Sequence, residues 1–349
     1  MKGLILAGGK STRLYPLTLN IPKPMVPMLN RPFLEHMIDW LGAHGIREII
    51  VTTSYLPEAI REHFKSGAGH GVSIEYVVEE RPLGTGGAIK NAEPLLDGTF
   101  FVFNGDILTG LNLQDMARQH RESGAQASIS LTWVEDPTPY GVIETDESGR
   151  ILRFREKPKP HEVTTQYINA GTYIFEPEVL KGMPAGRGFS IEREFYPQAL
   201  ERGVPMYGYR DRSYWLDIGT VDKYIQAHCD ILAGKLQRRG AGEEVEPGVW
   251  AGPDTQVASD ARLSPPMMIG ARCVVGARAT VGPCAVLGDE VHIREDASVS
   301  NSVLWRGASV GAGAAVDRCI LGSGVAVPAG SHLSGEAIAD QEEVTTQAA

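Results

Sequence analysis

The residues most able to do chemistry open the chain. In LILAGGKSTRLYPLT, Leu4 to Thr18, an apolar run ending in Leu6 and Ala7 breaks into Gly8-Gly9-Lys10-Ser11-Thr12, and Arg13 follows. Glycines let backbone N–H groups approach phosphate oxygens closely. Lys10, Arg13 and, farther on, Lys23 in NIPKPMVP supply positive charge. The end of this stretch looks like a P-loop, but the spacing excludes one. A P-loop needs G-x-x-x-x-G-K-[ST]; counting back from Gly9, the required glycine falls on Leu4, and Gly3 is out of register. A P-loop also opens a long helix that holds the phosphates at its N-terminus. Here Pro16, Pro22, Pro24 and Pro27 follow, and a proline inside a helix costs about 3 kcal/mol. Such a loop could neutralise a triphosphate; taken in isolation, Gly-Gly-Lys reads more readily as a surface turn with solvated cations.

Carboxylates and further cations stand at the ends of later apolar runs. Asp106 follows Asn104-Gly105, and Asp217 lies in WLDIGT just before the capping residue Thr220. Read alone, either aspartate serves as well in a turn or cap as on a metal. Lys157 and Glu156 adjoin in REKP, Gly141 stands in YGVIE and Asn169 in INAG. In isolation these are a solvated turn lysine with its neighbour, a turn glycine and a strand-end amide. No Ser/His/Asp arrangement for covalent catalysis is evident.

Positioning such groups requires strand ends that converge. Up to about residue 235, strand and helix signals alternate. Strands are expected at Gly3–Leu6, Glu48–Thr52, Val72–Val78 and Phe100–Phe103. Helices are expected at Pro32–Leu41, Pro57–Phe64, Gly86–Leu96 (capped by Thr85) and Leu113–Ser123. This βαβ grammar predicts an α/β domain with a doubly wound, mixed and mostly parallel sheet. Ligands of such sheets gather at the carboxyl ends of the strands, where Gly8-Gly9 and Asn104-Gly105-Asp106 both fall.

From Gly248 the grammar changes. Val257, Leu263, Ile269, Val275, Val281, Leu287, Ile293 and Val299 recur every six residues. After one slip come Leu304, Val310 and Val316; after a second, Leu321, Val327 and Leu333. One aliphatic per six residues, with small and polar residues between, predicts a left-handed parallel β-helix of hexapeptide repeats, of about four coils. The expected organisation is a catalytic domain over 1–235, a polar linker over 236–247, the coil over 248–335, and a disordered tail over 336–349.

Bulk properties narrow the function. A net charge of −10 excludes a general nucleic-acid binder, which needs a basic face. No apolar run reaches the roughly 18 residues that span a membrane. The N-terminal apolar run is too short for a signal peptide. Cys229, Cys273, Cys284 and Cys319 form no CxxC pair, so buried free thiols in a cytoplasmic protein are expected.

Together, LAGGKSTRLYPLTLNIPKPMVPMLNRPFLEHMI, RPLGTGGAIKNA, FVFNGDIL, YGVIETDESGRILRFREKP, INAGTYIFEP, SIEREFYPQAL and YWLDIGTVDKY resemble, in order, the sugar-nucleotide pyrophosphorylases. The nearest branch is the mannose-1-phosphate guanylyltransferases. The resemblance implies a Rossmann-like nucleotidyltransferase domain followed by the hexapeptide coil. It implies an enzyme joining an NTP to a sugar 1-phosphate with Mg2+ and releasing pyrophosphate. Asp106 and Asp217 then hold the metal. Arg13 lies over the β- and γ-phosphates, Lys23 approaches the α-phosphate, and Lys157 meets the sugar 1-phosphate. Leu6, Ala7, Gly8, Gly9, Lys10, Glu79, Gly84 and Thr85 bind the nucleotide, and Gly141, Glu156 and Asn169 bind the sugar. Neither nucleic acid nor membrane is an expected partner; a homo-oligomer formed through the coil is.

Base and sugar stay open at this stage. Glu79 stands where the uridylyl and thymidylyl relatives have glutamine; a carboxylate offers only acceptors, which suits the paired donors of guanine. As readily, Glu79 and Glu80 form a solvated acidic pair. Gly86-Gly87 in place of Ala-Gly resembles the heptose 1-phosphate guanylyltransferases. A uridylyl- or thymidylyltransferase acting on glucose 1-phosphate and a non-catalytic regulatory subunit are the competing readings. An acyltransferase coil would need a catalytic histidine, and only His292 and His332 lie there.

Overall fold

Alternating signals in the first part of the chain resolve into a mixed sheet, nine-stranded among the described residues. The computed structural model describes residues 1–9, 12–238 and 240–340. Packing groups Met1–Gly9 with Met37–Trp215, and Lys10–His36 with Leu216–Ala349. Sequence grammar changes near residue 248, whereas packing sends Lys10–His36 and the segment after Trp215 with the coil.

In the first unit the strand Lys2–Leu6 lies between Glu48–Thr53 and Phe100–Asn104, parallel to both, and Ser73–Val78 extends the parallel half. Tyr167–Phe175 then runs antiparallel to Phe100–Asn104 and carries Gly141–Thr145 and Ala127–Trp133. Leu4, Ile50, Val102, Ile129 and Phe175 belong to one buried core with Ile89 and Tyr196. The helices are α1 (Phe33–Ala43), α2 (Pro57–Phe64), α3 (Gly84–Asn91), α4 (Leu113–Ser123), α5 (Tyr196–Glu201) and α6 (Val221–Leu232). α4 shows the local logic. Asn112 caps it by accepting from the Gln114 and Asp115 N–H groups, and Gly124 ends it at φ 63°.

α3 departs from expectation. It begins at Gly84 and ends at Asn91, with a separate 3-10 turn over Glu93–Leu95. Pro94 cannot continue a helix. Thr85 is therefore inside the helix and is not its cap, and its hydroxyl turns to other partners.

In the second unit all fourteen periodic aliphatics fall into three stacks. Val257, Val275, Ile293, Val310 and Val327 form the first. Leu263, Val281, Val299, Val316 and Leu333 form the second. Ile269, Leu287, Leu304 and Leu321 form the third, continued by Ile338. These are the three flat sides of the expected left-handed coil, with five rungs on two sides and six parallel rungs on the third, which Val249–Ala251 opens, where about four were expected. The slips Val299 to Leu304 and Val316 to Leu321 shorten the same corner in successive rungs, so the stacks stay aligned. At that corner buried Ser302 donates to Ser300 O and accepts from Cys319 N–H. Regular structure also exceeds the expected limits. Glu243–Glu246 pairs with Val249–Ala251 inside the expected linker, and Ala337–Ile338 pairs with Ile320–Leu321 inside the expected tail. Each strand finds backbone partners on the coil, which composition does not show. Residues 341–349 of that tail lie outside the described residues. His292 and His332 stand on different sides of the coil.

One coil side is covered from within the chain. Met268, Val286, Val303 and Ile320 are buried yet lie outside the coil's interior cluster. Asn30 donates from Nδ2 to Leu287 O at 2.7 Å, and a Cβ on Gly240 would collide with Met268 and stand 3.2 Å from Leu29 Cβ. α6 adds a covalent link, Cys229 to Cys284, which corrects the expectation of four free thiols; Cys273 and Cys319 are free and buried. The partners are 55 residues apart in sequence, so spacing could not reveal them, and their Cα atoms are 5.2 Å apart, within disulfide reach. No described helix is long and apolar enough to cross a membrane.

α6 begins at Thr220, whose side chain accepts from Lys223 N–H. Its buried stripe includes Tyr224, Ile225, His228, Ile231 and Leu232. Burial, then the neighbouring His36, pulls the His228 pKa down from 6.5 to about 3. Tyr224 packs edge-on against its ring. A depressed folded pKa gives stability that is complete above pH 6.5 and is lost as pH falls toward about 3, because only the unfolded chain takes up the proton in that window. Melting temperatures of the native protein should therefore fall more steeply between pH 6.5 and 3 than those of His228→Gln. Parallel pH profiles would show that His228 is not buried in its neutral form.

Candidate active site

Strand Lys2–Leu6 ends at a loop whose backbone is pinned. Ala7 N–H donates to Thr52 O at 2.9 Å, and Ser54 Oγ donates to Gly8 O at 2.6 Å. A Cβ on Gly8 would stand 3.2 Å from Ser54 Oγ and 3.3 Å from Glu79 Oε1, so glycine admits both side chains to the loop. Gly9 is exposed with open space around it. Lys10 lies outside the described residues.

Glu79 is not solvated, as the acidic-pair reading would have it: its exposure is 5%. Its N–H donates to Thr53 O, and its Oε2 accepts from Leu83 N–H at 2.8 Å. Burial raises its pKa and the Leu83 N–H opposes that. Gly84, at φ 69°, starts α3, and Gly86 and Gly87 donate their N–H groups to Phe189 O. A Cβ on Gly86 would stand 2.5 Å from the Phe189 ring, which explains glycine at this position in the double-glycine motif. Thr85 donates to Glu192 Oε2 at 2.7 Å and accepts from Ile191 N–H at 3.0 Å.

Beside the loop, Gly105 N–H donates to Leu6 O at 3.0 Å, and a Cβ there would stand 2.5 Å from that oxygen. Only glycine fits, and it delivers Asp106, half-buried, to the strand end. Asn169 donates to the Tyr173 hydroxyl at 3.0 Å and accepts from Gly171 N–H; the strand bulges between Asn169 and Tyr173. Bulges commonly re-aim side chains near active sites.

Gly141 faces Glu156 across an antiparallel pair. A Cβ on Gly141 would stand 2.9 Å from Glu156 Oε2 and 2.7 Å from Phe154 Cζ. Burial, then Glu192, raises the Glu156 pKa. Lys157 is exposed and has no ion-pair partner among the described residues. Its φ is 48°, left-handed and costly for a residue with a Cβ, and its N–H donates to Tyr140 O at 2.9 Å.

The second unit holds the other three. Arg13 Nη1 is 3.8 Å from Asp217 Oδ2. A Cβ on Gly219 would stand 2.8 Å from both the Arg13 guanidinium and the Asp217 carboxylate. Lys23 begins a short 3-10 turn, Lys23–Met25, and is buried. The first unit thus gathers Leu6, Ala7, Gly8, Glu79 and Asp106 at neighbouring strand ends; the second brings Arg13 to Asp217. Among the described residues no group of three or more His, Cys, Asp or Glu could hold a metal. Mg2+ needs none, because it is commonly held by one or two carboxylates plus substrate phosphates, and the donors here are hard carboxylate oxygens.

Sequence reasoning missed Glu192. It lies on a π-helical turn, Ile191–Phe195, capped by Ser190. Its carboxylate joins Thr85 and Ser190 by hydrogen bonds and presses electrostatically on Glu156 and Tyr173. An acidic residue inside the apolar-flanked SIEREF was the available signal.

Residues 2–234 match the Nucleotidyl transferase family and residues 245–349 the GMPPB C-terminal domain. A mannose-1-phosphate guanylyltransferase of Mycobacterium tuberculosis is 38% identical, over 94% of this chain and 81% of that protein. A UTP--glucose-1-phosphate uridylyltransferase of Synechocystis is 36% identical, over 92% of this chain and 87% of that protein. The crystal structure of HddC from Yersinia pseudotuberculosis complexed with GMP-PN has a TM-score of 0.57 at 30% identity, over 66% of this chain and 99% of that one. Likeness of this extent, over a strand-end glycine loop and a hexapeptide coil, leaves one conclusion: the chain belongs to the nucleotidyltransferase family and is an enzyme of it.

Proposed function

We propose that this protein transfers a nucleoside monophosphate from GTP to mannose 1-phosphate. A phosphate oxygen of the sugar 1-phosphate forms a bond to the α-phosphorus, the bond from that phosphorus to the bridging oxygen breaks, and pyrophosphate leaves. The observation that carries the reading is the buried Glu79 carboxylate beside Gly8 in the phosphate-type loop. Oε2 already accepts from Leu83 N–H, and the carboxylate's remaining acceptor capacity suits the adjacent N1–H and amino donors of guanine and opposes the acceptor edges of uracil and thymine. The M. tuberculosis relative's name supports the same base and sugar.

Both reactants are anionic, so rate comes from charge neutralisation and alignment. Arg13 neutralises the β- and γ-phosphates and Lys23 the α-phosphate. Lys157, fixed by its left-handed backbone, holds the sugar phosphate. Glu156 and Asn169 orient sugar hydroxyls, and Gly141 leaves the ring room beside Glu156. Asp106 and Asp217 would hold Mg2+, which when bound supplies further neutralisation at the phosphate oxygens. A second reading, uridylyl transfer to glucose 1-phosphate, is favoured by the Synechocystis relative, of similar identity and coverage.

Pyrophosphate release, measured with Mg2+ across the common NTPs crossed with a panel of sugar 1-phosphates, tests the proposal. Release should require both partners and be fastest with GTP and mannose 1-phosphate. Fastest release with UTP and glucose 1-phosphate would establish the second reading. No release from any pair would favour a regulatory subunit, and orthophosphate from NTP alone would overturn transfer altogether.

Two variants probe the base and sugar sides separately. Glu79→Gln should lower kcat/KM for GTP relative to UTP by roughly tenfold to a hundredfold, the equivalent of about 1.5–3 kcal/mol for a charge-assisted hydrogen bond. Equal loss across all bases would remove Glu79 from base selection. Gly141→Ala pushes against Glu156 and should raise KM for the sugar 1-phosphate by about tenfold or more, with KM for the NTP unchanged. A rise in the NTP constant instead would contradict the sugar-side assignment.

A further inference from the structure

A short hairpin follows Lys23. Strands Pro27–Met28 and Arg31–Pro32 pair Pro27 with Pro32 and Met28 with Arg31. Leu29 (φ 48°) and Asn30 (φ 63°) make the turn, both left-handed. Two-residue hairpin turns of this kind favour Asn and Gly. Asn30 fits; Leu29 does not, so the surroundings must hold it.

They hold four consecutive residues. The Tyr224 hydroxyl donates to Pro27 O, and His36 Nε2 lies 2.7 Å from Met28 O. Leu29 N–H donates to His228 Nδ1 at 3.4 Å, and Asn30 Nδ2 donates to Leu287 O at 2.7 Å. The anchors come from α1, α6 and the coil, and the residue after His228 is joined to the coil through Cys229–Cys284. Met28 and Leu29 are buried. The hairpin in turn fixes the Lys23 turn: Phe33 N–H donates to Val26 O, and Val26 N–H to Lys23 O. A continuous chain of contacts therefore runs from a coil carbonyl to the backbone of Lys23.

We infer that the β-helix is part of the catalytic apparatus, with Asn30 a positioning residue that holds the Lys23 turn through Leu287 O. The inference rests on the reading of Lys23 as the α-phosphate cation. Asn30 contributes twice: its backbone accepts the left-handed turn, and its amide ties that turn to the coil. Asn30→Gly keeps the first contribution and removes the second. Asn30→Asp keeps the shape but sets a carboxylate against the carbonyl.

The test is a double-mutant cycle in the full chain, comparing the native protein, Lys23→Ala, Asn30→Gly and the double variant. Initial rates are read with GTP and mannose 1-phosphate, or with the fastest pair found in the substrate panel. Asn30→Gly should lower kcat about tenfold, with KM for the sugar 1-phosphate unchanged and the melting temperature close to native. In the Lys23→Ala background, read at high enzyme concentration, it should have no further effect. Asn30→Asp should lower kcat at least as much, which keeps the question open to test if the glycine variant folds poorly. Unchanged kcat in both Asn30 variants, or losses that multiply across the cycle, would overturn the inference while leaving the Lys23 reading intact. A Lys23→Ala variant as fast as the native protein would overturn that reading, and the inference with it.

Discussion

The first unit depends on the parallel register of one strand. Leu6 lies opposite Thr52 on one side and Asn104 on the other, and Thr53 lies opposite Val78. That register makes four chain segments leave the sheet at one edge. Ala7-Gly8, Ser54, Glu79 and Gly105-Asp106 become neighbours although they are far apart in sequence. Two bonds then lock the edge: Ala7 N–H to Thr52 O and Gly105 N–H to Leu6 O. A shift of the central strand by one residue would reverse its side chains and separate these partners at once. Gly8 and Gly105 follow from this arrangement. At Gly105 a neighbouring strand-end carbonyl comes too close for a Cβ, and at Gly8 a Cβ would press on the Ser54 and Glu79 side chains.

The antiparallel half serves a different end. It sets Gly141 against Glu156 and bulges at Asn169 on an adjoining strand. Glu192 connects this half to the start of α3. Its carboxylate fixes Thr85 of α3 while its charge raises the Glu156 pKa. Two carboxylates near one another cannot both ionise freely, so a change at α3 that moves Glu192 also changes the charge on Glu156. Thr85 and Glu156 are thereby coupled through one carboxylate.

Much of this was legible in the residues. The hexapeptide period placed the fourteen periodic aliphatics in register, because inward stacking imposes that repeat, although Val257, on the first rung of its stack, is exposed and Ile338 was left to the tail. The strand ends were legible because glycine after an apolar run marks close backbone approach. Thr85 was misread as a cap, since threonine before a helical pattern suits both roles and only the position of the Ile191 turn decides between them. Glu79 could not be sorted from Glu80 by type; burial separated them. The Cys229–Cys284 link and the grip on Asn30 were invisible, for both join positions brought together by tertiary packing alone.

The two slips in the repeat show why the coil is more than an appendage. A coil that needed only stability could keep an uninterrupted six-residue period. Here the same corner is shortened in successive rungs, and buried Ser302 satisfies the backbone that the shortening exposes. The irregular corner lies between Val299 and Leu304, and Val303 belongs to the side covered from within the chain. The covered side carries an apolar outer row, Met268, Val286, Val303 and Ile320, where a solvent-facing side would carry polar residues. That row commits the face to α6 and the Leu29 hairpin, and so fixes one side of the coil within the chain. Any association with a second copy is left to the other two sides and the ends.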